Sequence, residues 1–358
     1  MAERLAPVDA QGKKQGQQTV RRNTPPKKSK YKTWIRVLAI TMGVLLIAVV
    51  GAVVWAYKMY NDIGKDPLSV FKKGSGNHTV IATDDTEHTS QGIVNVLLLG
   101  IDSDEERVKN RAGYRSDVMI VCSLDMEHGS MSMVTIPRDA YVEVDHISGK
   151  TGQVTTTEMD KITHAYAYGG ESREQRAQNA VNCVERFLSC GGKFDFKIDH
   201  YASIDMGSFP KLADAVGGVE VVLPHSFDGY STGDTYVVTS KNADDFACNR
   251  KEGGHGDDGR NERQQLFLIS FVKKVQKMGA VSAVTNLYDE VIKYMYTDMN
   301  LEQVIGLFHY SKTLDVDTGI QRYRMQGNGK YIGEIWYDII PEDEVYNTVL
   351  KYFYKPKS

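Results

Sequence analysis

Val37–Tyr57 reads VLAITMGVLLIAVVGAVVWAY, 21 residues without a charge. In hydrocarbon every backbone N–H and C=O must be bonded internally, so a lone apolar segment of this kind spans only as an α-helix. At about 1.5 Å rise per residue it reaches about 30 Å, the thickness of a bilayer core. Trp34 at one end, and Trp55 with Tyr57 at the other, suit the two interfacial belts. The run is long for a signal-peptide core, and no A-x-A-like cleavage site follows it. Residues 1–36 hold ten Lys/Arg against two acids, a net +8 that leaves −11 for the rest of a chain whose total is −3. That cationic flank orients the segment with its N-terminus in the cytoplasm. Its role is then topology and contact with the anionic inner leaflet of the bilayer, not nucleic-acid binding. The expected organisation is a cytoplasmic arm (1–36), a transmembrane helix (37–57), a polar extracellular stalk (58–91) and one extracellular catalytic domain (92–358).

The domain alternates strand and helix patterns without a strict βα repeat. Val94–Gly100, Val118–Leu124 and Met131–Ile136 are nearly continuous apolar runs, as in strands covered on both faces. A short strand is expected at Val142–Val144, a surface excursion at 146–160, a helix at Glu171–Leu188 and a strand at Phe196–Ile204. A helix at Phe209–Val216, a strand at Val219–Leu223 and an irregular stretch at 225–247 follow. The pattern ends with helices near 260–278, 280–295 and 300–313, a Tyr-rich strand pair at 319–337 and a last helix at 341–354. The fold class is α/β (α+β), a central mixed β-sheet flanked by helices and preceded by one transmembrane helix. Four cysteines do not make a disulfide scaffold; Cys183 and Cys190 pair only if the chain turns back at Gly191–Gly192, which the spacing leaves open.

The densest chemistry lies in Gly256–Gln265, GDDGRNERQQ, just before an apolar helical pattern. Arg260, Arg263 and Gln264 fall at i, i+3 and i+4, so they share one face of a helix's first turns. The helix dipole disfavours cations there, and backbone N–H groups point outward, so two arginines imply a bound anion. Arginine's forked donors suit phosphate or pyrophosphate; the alternative is a solvated charged helix start. Four other segments sit at strand ends or in loops, where sites form. Asp102 closes the first buried strand and Asp117 opens the second, one edge if the strands are antiparallel. Two carboxylates without a softer ligand suit Mg²⁺ or Mn²⁺. Arg115 precedes Asp117, Arg138 ends the third strand, and Lys161 opens KITHAYAYGG. Arginines clustered with spare carboxylates suit metal-assisted phosphoryl transfer. No P-loop, G-x-S-x-G elbow or H-E-x-x-H occurs, which removes support for a nucleotide-driven kinase, a serine hydrolase or a zinc protease.

Six strings in this order resemble the LytR–CpsA–Psr (LCP) family of Gram-positive cell-envelope enzymes: NVLLLGID (Asn95–Asp102), RSD (Arg115–Asp117), TIPRD (Thr135–Asp139), KITHAYAYGG (Lys161–Gly170), AVGGVEV (Ala215–Val221) and DDGRNERQQ (Asp257–Gln265). The resemblance implies a phosphotransferase. It moves a secondary glycopolymer, such as teichoic acid or capsular polysaccharide, from a polyprenyl-pyrophosphate carrier to a peptidoglycan muramic-acid hydroxyl. It further implies that Asp102 and Asp117 hold Mg²⁺ and that Arg115, Arg138, Lys161, Arg250, Arg260 and Arg263 bind the pyrophosphate. Gln264 lines the site, Asp257 activates the acceptor hydroxyl, and an apolar channel takes the isoprenoid tail. One departure stands out: where the family carries an Arg-x-Arg pair, Cys248 replaces the first arginine and only Arg250 fits. The same residues serve a pyrophosphatase, in which water replaces the acceptor. The departure at Cys248 leaves room for a non-catalytic, membrane-anchored regulator.

Overall fold

The computed structural model describes residues 48–52, 54–71, 78–102, 114–251, 256–278 and 293–357, the side chain of Asp257 excepted. The basic arm and most of the apolar run 37–57 lie outside the described residues. Among the described residues no helix is long and apolar enough to cross a membrane. The chain forms two compact units, Met1–Tyr57 and Lys58–Ser358. In the first, residues 48–52 and 54–57 are helical and exposed.

The second unit begins with residues expected to be a partly ordered stalk, and those of them that are described contain regular elements. Residues 58–65 are helical, Pro67–Val70 is a 3-10 turn, and Phe71 is 2% exposed in a cluster with Met131 and Tyr310. Strands β1 (Thr79–Ile81) and β2 (Glu87–Thr89) pair antiparallel. The polar composition of 58–91 hides this, because only scattered residues such as Ile63, Phe71 and Ala82 are buried.

The central strands are β3 (Ile93–Asp102), β4 (Arg115–Asp125) and β5 (Ser130–Thr135). After them come β6 (Tyr141–Ile147), β7 (Val154–Lys161), α1 (His164–Ala167), α2 (Arg173–Leu188), β8 (His200–Asp205), α3 (Phe209–Ala215), β9 (Val219–Val222) and β10 (Thr235–Val238). Helices α4 (Ala243–Cys248) and α5 (Gly256–Lys277), strand β11 (Met295–Thr297), helix α6 (Leu301–Thr313) and strands β12 (Ile320–Arg324), β13 (Asn328–Ile332) and β14 (Ile335–Ile339) follow. Helix α7 (Glu342–Phe353) and strand β15 (Lys355–Pro356), which pairs with β2, complete the unit.

Six strands form the central mixed sheet in the order β11-β8-β3-β4-β5-β12. β3 runs antiparallel to β4 and parallel to β8, while β12 runs parallel to β5. Both faces are covered, which is why β3 reads as a continuous apolar run. Leu97, Leu99 and Ile101 join a core with residues of α1, α2 and α7. Val94 and Val96 join a core on the opposite face with Tyr310 and Leu314. A third cluster gathers α3, β9, β10, α4 and Phe267 of α5. Two capping boxes fix helix starts, Ser172 with Gln175 on α2 and Asn300 with Gln303 on α6.

Several expected elements differ. The excursion 146–160 contains most of β7, whose sequence VTTTEMDK is exposed for six residues and so lacks apolar alternation. The stretch 225–247 contains β10 and most of α4, both short. The strand expected from Phe196 begins at His200. The expected pair within 319–337 is not a pair: β12 adds to the central sheet, and the hairpin is β13–β14. Of the helix expected at 280–295, residues 280–292 lie outside the described residues and Met295 begins β11. All four cysteines are free thiols, Cys183 and Cys190 included.

Candidate functional site

One end of the central sheet collects the charged residues. Asp102 ends β3, Arg115 and Asp117 begin β4, Arg138 and Asp139 follow β5, and Arg324 ends β12. The register of β3 and β4 shifts between Gly100 and Ile101. Gly100 pairs with Val118 but Ile101 pairs with Ser116, so Asp117 is the extra residue of a bulge. Residues opposite each other share a face, so Asp102 and Arg115 are same-face partners. Bulges re-aim side chains beside sites, and here the bulge turns Asp117 toward the first turns of α5.

There a cavity of about 90 Å³ is lined by Asp117, Arg138, Asp139, Arg260, Arg324 and Asp338. Arg138 Nη1 donates to Asp117 Oδ2 at 3.0 Å, and Lys161 Nζ donates to Asp139 Oδ1 at 2.7 Å. Arg138 Nε lies 3.5 Å from Asp139 Oδ2. These carboxylates fix the cations before any ligand arrives. Asp117 Oδ1 and Arg115 Nε are buried without a hydrogen-bond partner. Burial raises the Asp338 pKa above the usual carboxylate range, against the lowering pull of Arg324, and the Asp139 and Asp258 charges add to the rise. Among the described residues, the three acid or histidine groups close enough to share a cation are Asp125, Glu127 and His128. They sit at the β4–β5 turn, and the Lys355 ammonium lies 2.9 Å from Glu127 and 3.3 Å from Asp125.

A second, apolar cavity of about 100 Å³ lies under α5, lined among others by Gly100, Val118, Phe209, Leu212, Gln264 and Leu268. Gly100 keeps this space: a Cβ there would stand 2.8 Å from Val118 Cβ and 2.9 Å from Met206 Sδ. One face of α5, at i, i+4 and i+8, thus runs from Arg260 in the polar cavity to Gln264 and Leu268 at the apolar one.

The expected site residues divide. Asp117, Arg138 and Arg260 line one cavity, Lys161 is tied to it through Asp139, and Asp102 and Arg115 share the sheet end. Gln264 donates to the Ala247 carbonyl at 2.8 Å. Arg263 is 1% exposed and bonds away from the cavity. Its Nε donates to Phe246 O at 2.9 Å, its Nη2 to Asn249 O, and its guanidinium stacks 4.5 Å from the Phe227 ring centroid. Arg250 is exposed beyond α4. Cys248 is exposed as a residue, yet the protein around its thiol still desolvates it. That and the Asp244 charge raise its pKa, opposed by Arg260 and Arg250. The side chain of Asp257 lies outside the described residues. Sequence reading assigned nothing to Arg324 or Asp338, which arrive from strands more than 180 positions beyond Arg138; their signal was a charge at a strand end, as for Asp102.

The model of the LytR_cpsA_psr family matches residues 65–352. Among curated proteins, the polyisoprenyl-teichoic acid–peptidoglycan teichoic acid transferase TagU of Halalkalibacterium halodurans is 30% identical over 315 residues, covering 86% of this chain and 93% of that protein. Its Bacillus mycoides counterpart is 29% identical over 313 residues, covering the same shares. Among solved structures, B. subtilis TagU aligns at TM-score 0.54 with 26% identity, over 75% of this chain and 99% of that one. B. subtilis TagV aligns at TM-score 0.57 with 24% identity, over 73% and 97%, which speaks to fold alone. With its family model spanning most of the second unit and its sheet end carrying the RSD, PRD and GRNERQQ residues, the chain belongs to the LytR–CpsA–Psr family.

Proposed function

We propose that the chain is a membrane-anchored phosphotransferase. It moves a cell-wall glycopolymer of the teichoic-acid or capsular type from a polyprenyl-pyrophosphate carrier to a muramic-acid hydroxyl of peptidoglycan. The observation that carries this reading is the pairing of cavities along α5. Arg260 and Arg138 face a polar cavity that fits a charged headgroup, and Gln264 and Leu268 face an apolar one that fits the start of a hydrocarbon tail. An amphiphilic pyrophosphate meets both, whereas a soluble nucleotide or sugar phosphate leaves the apolar cavity without use. The names of the TagU relatives support the same substrate class.

In the reaction the acceptor oxygen attacks the phosphorus that carries the polymer. A new P–O bond forms, the P–O bond to the carrier breaks, polyprenyl monophosphate leaves, and the hydroxyl proton passes to a carboxylate. By the family resemblance that carboxylate is Asp257. Arg138 and Arg260 bind the pyrophosphate oxygens and stabilise the charge that builds on the departing phosphate, without covalent participation. By the family resemblance Arg115, at the same sheet end, and Lys161, bonded to Asp139, serve the same oxygens. Arg263, committed to the carbonyls of Phe246 and Asn249, holds the segment that carries Arg250. The unpartnered Asp117 Oδ1 beside Asp102's strand end is a donor set suited to a hard divalent ion. Mg²⁺ held by Asp102 and Asp117 would supply charge neutralisation for the pyrophosphate. The apolar run 37–57 confines the enzyme to the surface where its donor is held, with residues 1–36 in the cytoplasm and the domain outside.

The test incubates the full chain in detergent with labelled lipid-linked donor, with and without peptidoglycan. Label joined to peptidoglycan is expected. Polymer phosphate released at equal rate with or without acceptor, and no ligation, defeats the transfer reading.

A further inference from the structure

The hairpin β13–β14 leaves aromatic side chains in solvent beside the polar cavity. Tyr331 and Trp336 are cross-strand partners with ring centroids 5.0 Å apart and planes at 71°. They are 66% and 45% exposed. Side chains alternate along a strand. Tyr337 accordingly turns inward, 6% exposed and 4.7 Å from the Tyr141 ring. Its neighbours Trp336 and Asp338 share the other side, and both line the cavity that holds Arg138 and Arg260.

The opposite strand is cleared to make this arrangement. A Cβ on Gly329 would fall 2.0 Å from Trp336 Cζ2, and one on Gly327 would fall 2.1 Å from Asp338 Oδ1. The indole therefore lies across the Gly329 backbone, held in one plane. Rescue of a strand glycine by an aromatic ring is a known stabilising device, but it gives no reason for the ring to wall a polar cavity. A carboxylate two residues on and a guanidinium floor give one. From the same cavity an open groove of about 480 Å³ continues past Asn261 and Arg324 to Glu262, Arg322 and Gln326. That volume lies within the ~300–1,000 Å³ range of ligand clefts, and its lining mixes hydrogen-bonding and apolar surface.

We propose that this surface is the acceptor subsite: Trp336 carries the apolar face of a sugar ring, Asp338 accepts hydrogen bonds from its hydroxyls, and the rest of the glycan strand follows the groove. The occupant is an amino-sugar polysaccharide rather than a peptide or a lipid. A fixed aromatic plane beside a carboxylate recognises a ring that is apolar on its face and rich in hydroxyls on its edge. The aromatic is also continuous with the cavity where an acceptor hydroxyl must meet phosphorus. The proposal rests on the transfer reading above and adds where the acceptor lies.

The experiment uses full-length protein in detergent, with Trp336→Ala, Trp336→Phe and Asp338→Asn variants. Soluble glycan strands released from peptidoglycan, and inorganic pyrophosphate, are titrated separately by calorimetry. Trp336→Ala is expected to weaken glycan binding at least tenfold, Trp336→Phe less than threefold, and Asp338→Asn three- to tenfold. Pyrophosphate affinity should fall by much less than glycan affinity in both Trp336 variants, because the indole walls the headgroup cavity without supplying charge to it, and this smaller loss also reports that the cavity remains folded. Unchanged glycan affinity in Trp336→Ala overturns the proposal, as does an equal loss of pyrophosphate affinity. Glycan binding that depends on Trp336 in a protein that transfers no polymer rejects the transfer reading alone. Transfer with an unaltered acceptor KM in Trp336→Ala rejects the subsite alone.

Discussion

Arg260 and Arg263 stand three residues apart in one motif, and replacing each by alanine should break different things. Arg263 is 1% exposed and donates to two backbone carbonyls, Phe246 O at 2.9 Å and Asn249 O, while stacking on Phe227. A hydrogen bond from a charged donor contributes about 1.5–3 kcal/mol, and the buried carbonyls are left unsatisfied when the donor goes. Two such bonds, with about 0.5–2 kcal/mol for the ring contact, place the cost of Arg263→Ala at about 3.5–8 kcal/mol. That is a large part of the 5–15 kcal/mol typical of a domain. Arg263→Lys should cost less than alanine but still about 2–3 kcal/mol, because one ammonium cannot reproduce a fork aimed at two carbonyls. Arg260 lines the polar cavity, so Arg260→Ala should weaken pyrophosphate binding roughly 10- to 100-fold, the loss of one charge-assisted contact pair. The pyrophosphate loss in Arg260→Ala should exceed that in Arg263→Ala by roughly tenfold or more. Urea midpoints read by tryptophan fluorescence give the first quantity, and calorimetric titration of inorganic pyrophosphate gives the second. If Arg263→Ala keeps its midpoint and loses pyrophosphate as strongly as Arg260→Ala, the assignment of separate roles is wrong.

Gly100→Ala should lower stability by about 1–3 kcal/mol through overpacking against Val118 and Met206; a melting temperature equal to wild type contradicts the close approach. Leu268→Trp, which fills the apolar cavity, should weaken farnesyl pyrophosphate binding much more than inorganic pyrophosphate binding, and equal losses would remove the tail from that cavity. Asp145 is buried, which by itself raises its pKa, but hydrogen bonds from Arg186 and Thr157 outweigh that and hold the carboxyl below its usual range. Its folded value lies below its unfolded one, so its contribution is present above pH ~4 and is lost as the pH falls through the folded value. The stability gap between wild type and Asp145→Asn should therefore shrink between pH 6 and pH 3 in urea titrations, and a constant gap refutes the linkage. Cys248→Arg, which adds a guanidinium near Arg250 and Arg260, should tighten pyrophosphate binding several-fold, and a weaker complex would place residue 248 outside reach of the headgroup.

What the sequence disclosed follows from where the physics is local. β3, β4 and β5 are buried on both faces, so their apolar runs are continuous and their ends are marked by charges; Asp102, Asp117 and Arg138 stood out as strand-end charges for that reason, and Arg260 through the helical spacing of GRNERQQ. β7 was not, because VTTTEMDK is exposed and carries no alternation. β12 joins β5 in parallel across 185 positions, and no neighbouring residue encodes such a pairing. The same topology hid Arg324 and Asp338. The bulge at Gly100/Ile101 was equally silent, although it decides which way Asp117 points. Arg263 was read with Arg260 because i and i+3 share a face, but α4 packs against α5 at the level of Arg263 and supplies carbonyls that the local pattern does not contain.

Helix α5 explains why its opening turns resist a purely structural account. Arg260, Arg263, Gln264 and Gln265 are all at most 7% exposed, and burying polar groups is costly unless each is bonded. Several of their bonds tie the helix to its surroundings: Arg263 to Phe246 and Asn249, Gln264 to Ala247, and Gln265 to Thr135 and Tyr323. Arg260 lines the cavity with Arg138 and Arg324. A helix selected for packing alone would begin with the apolar residues that it reserves for Leu266 onward. Its polarity changes along its axis, not only around it, so one face passes from guanidinium to amide to leucine over two turns. A ligand charged at one end and apolar at the other matches that axial gradient, and a wholly polar ligand matches only its first turn.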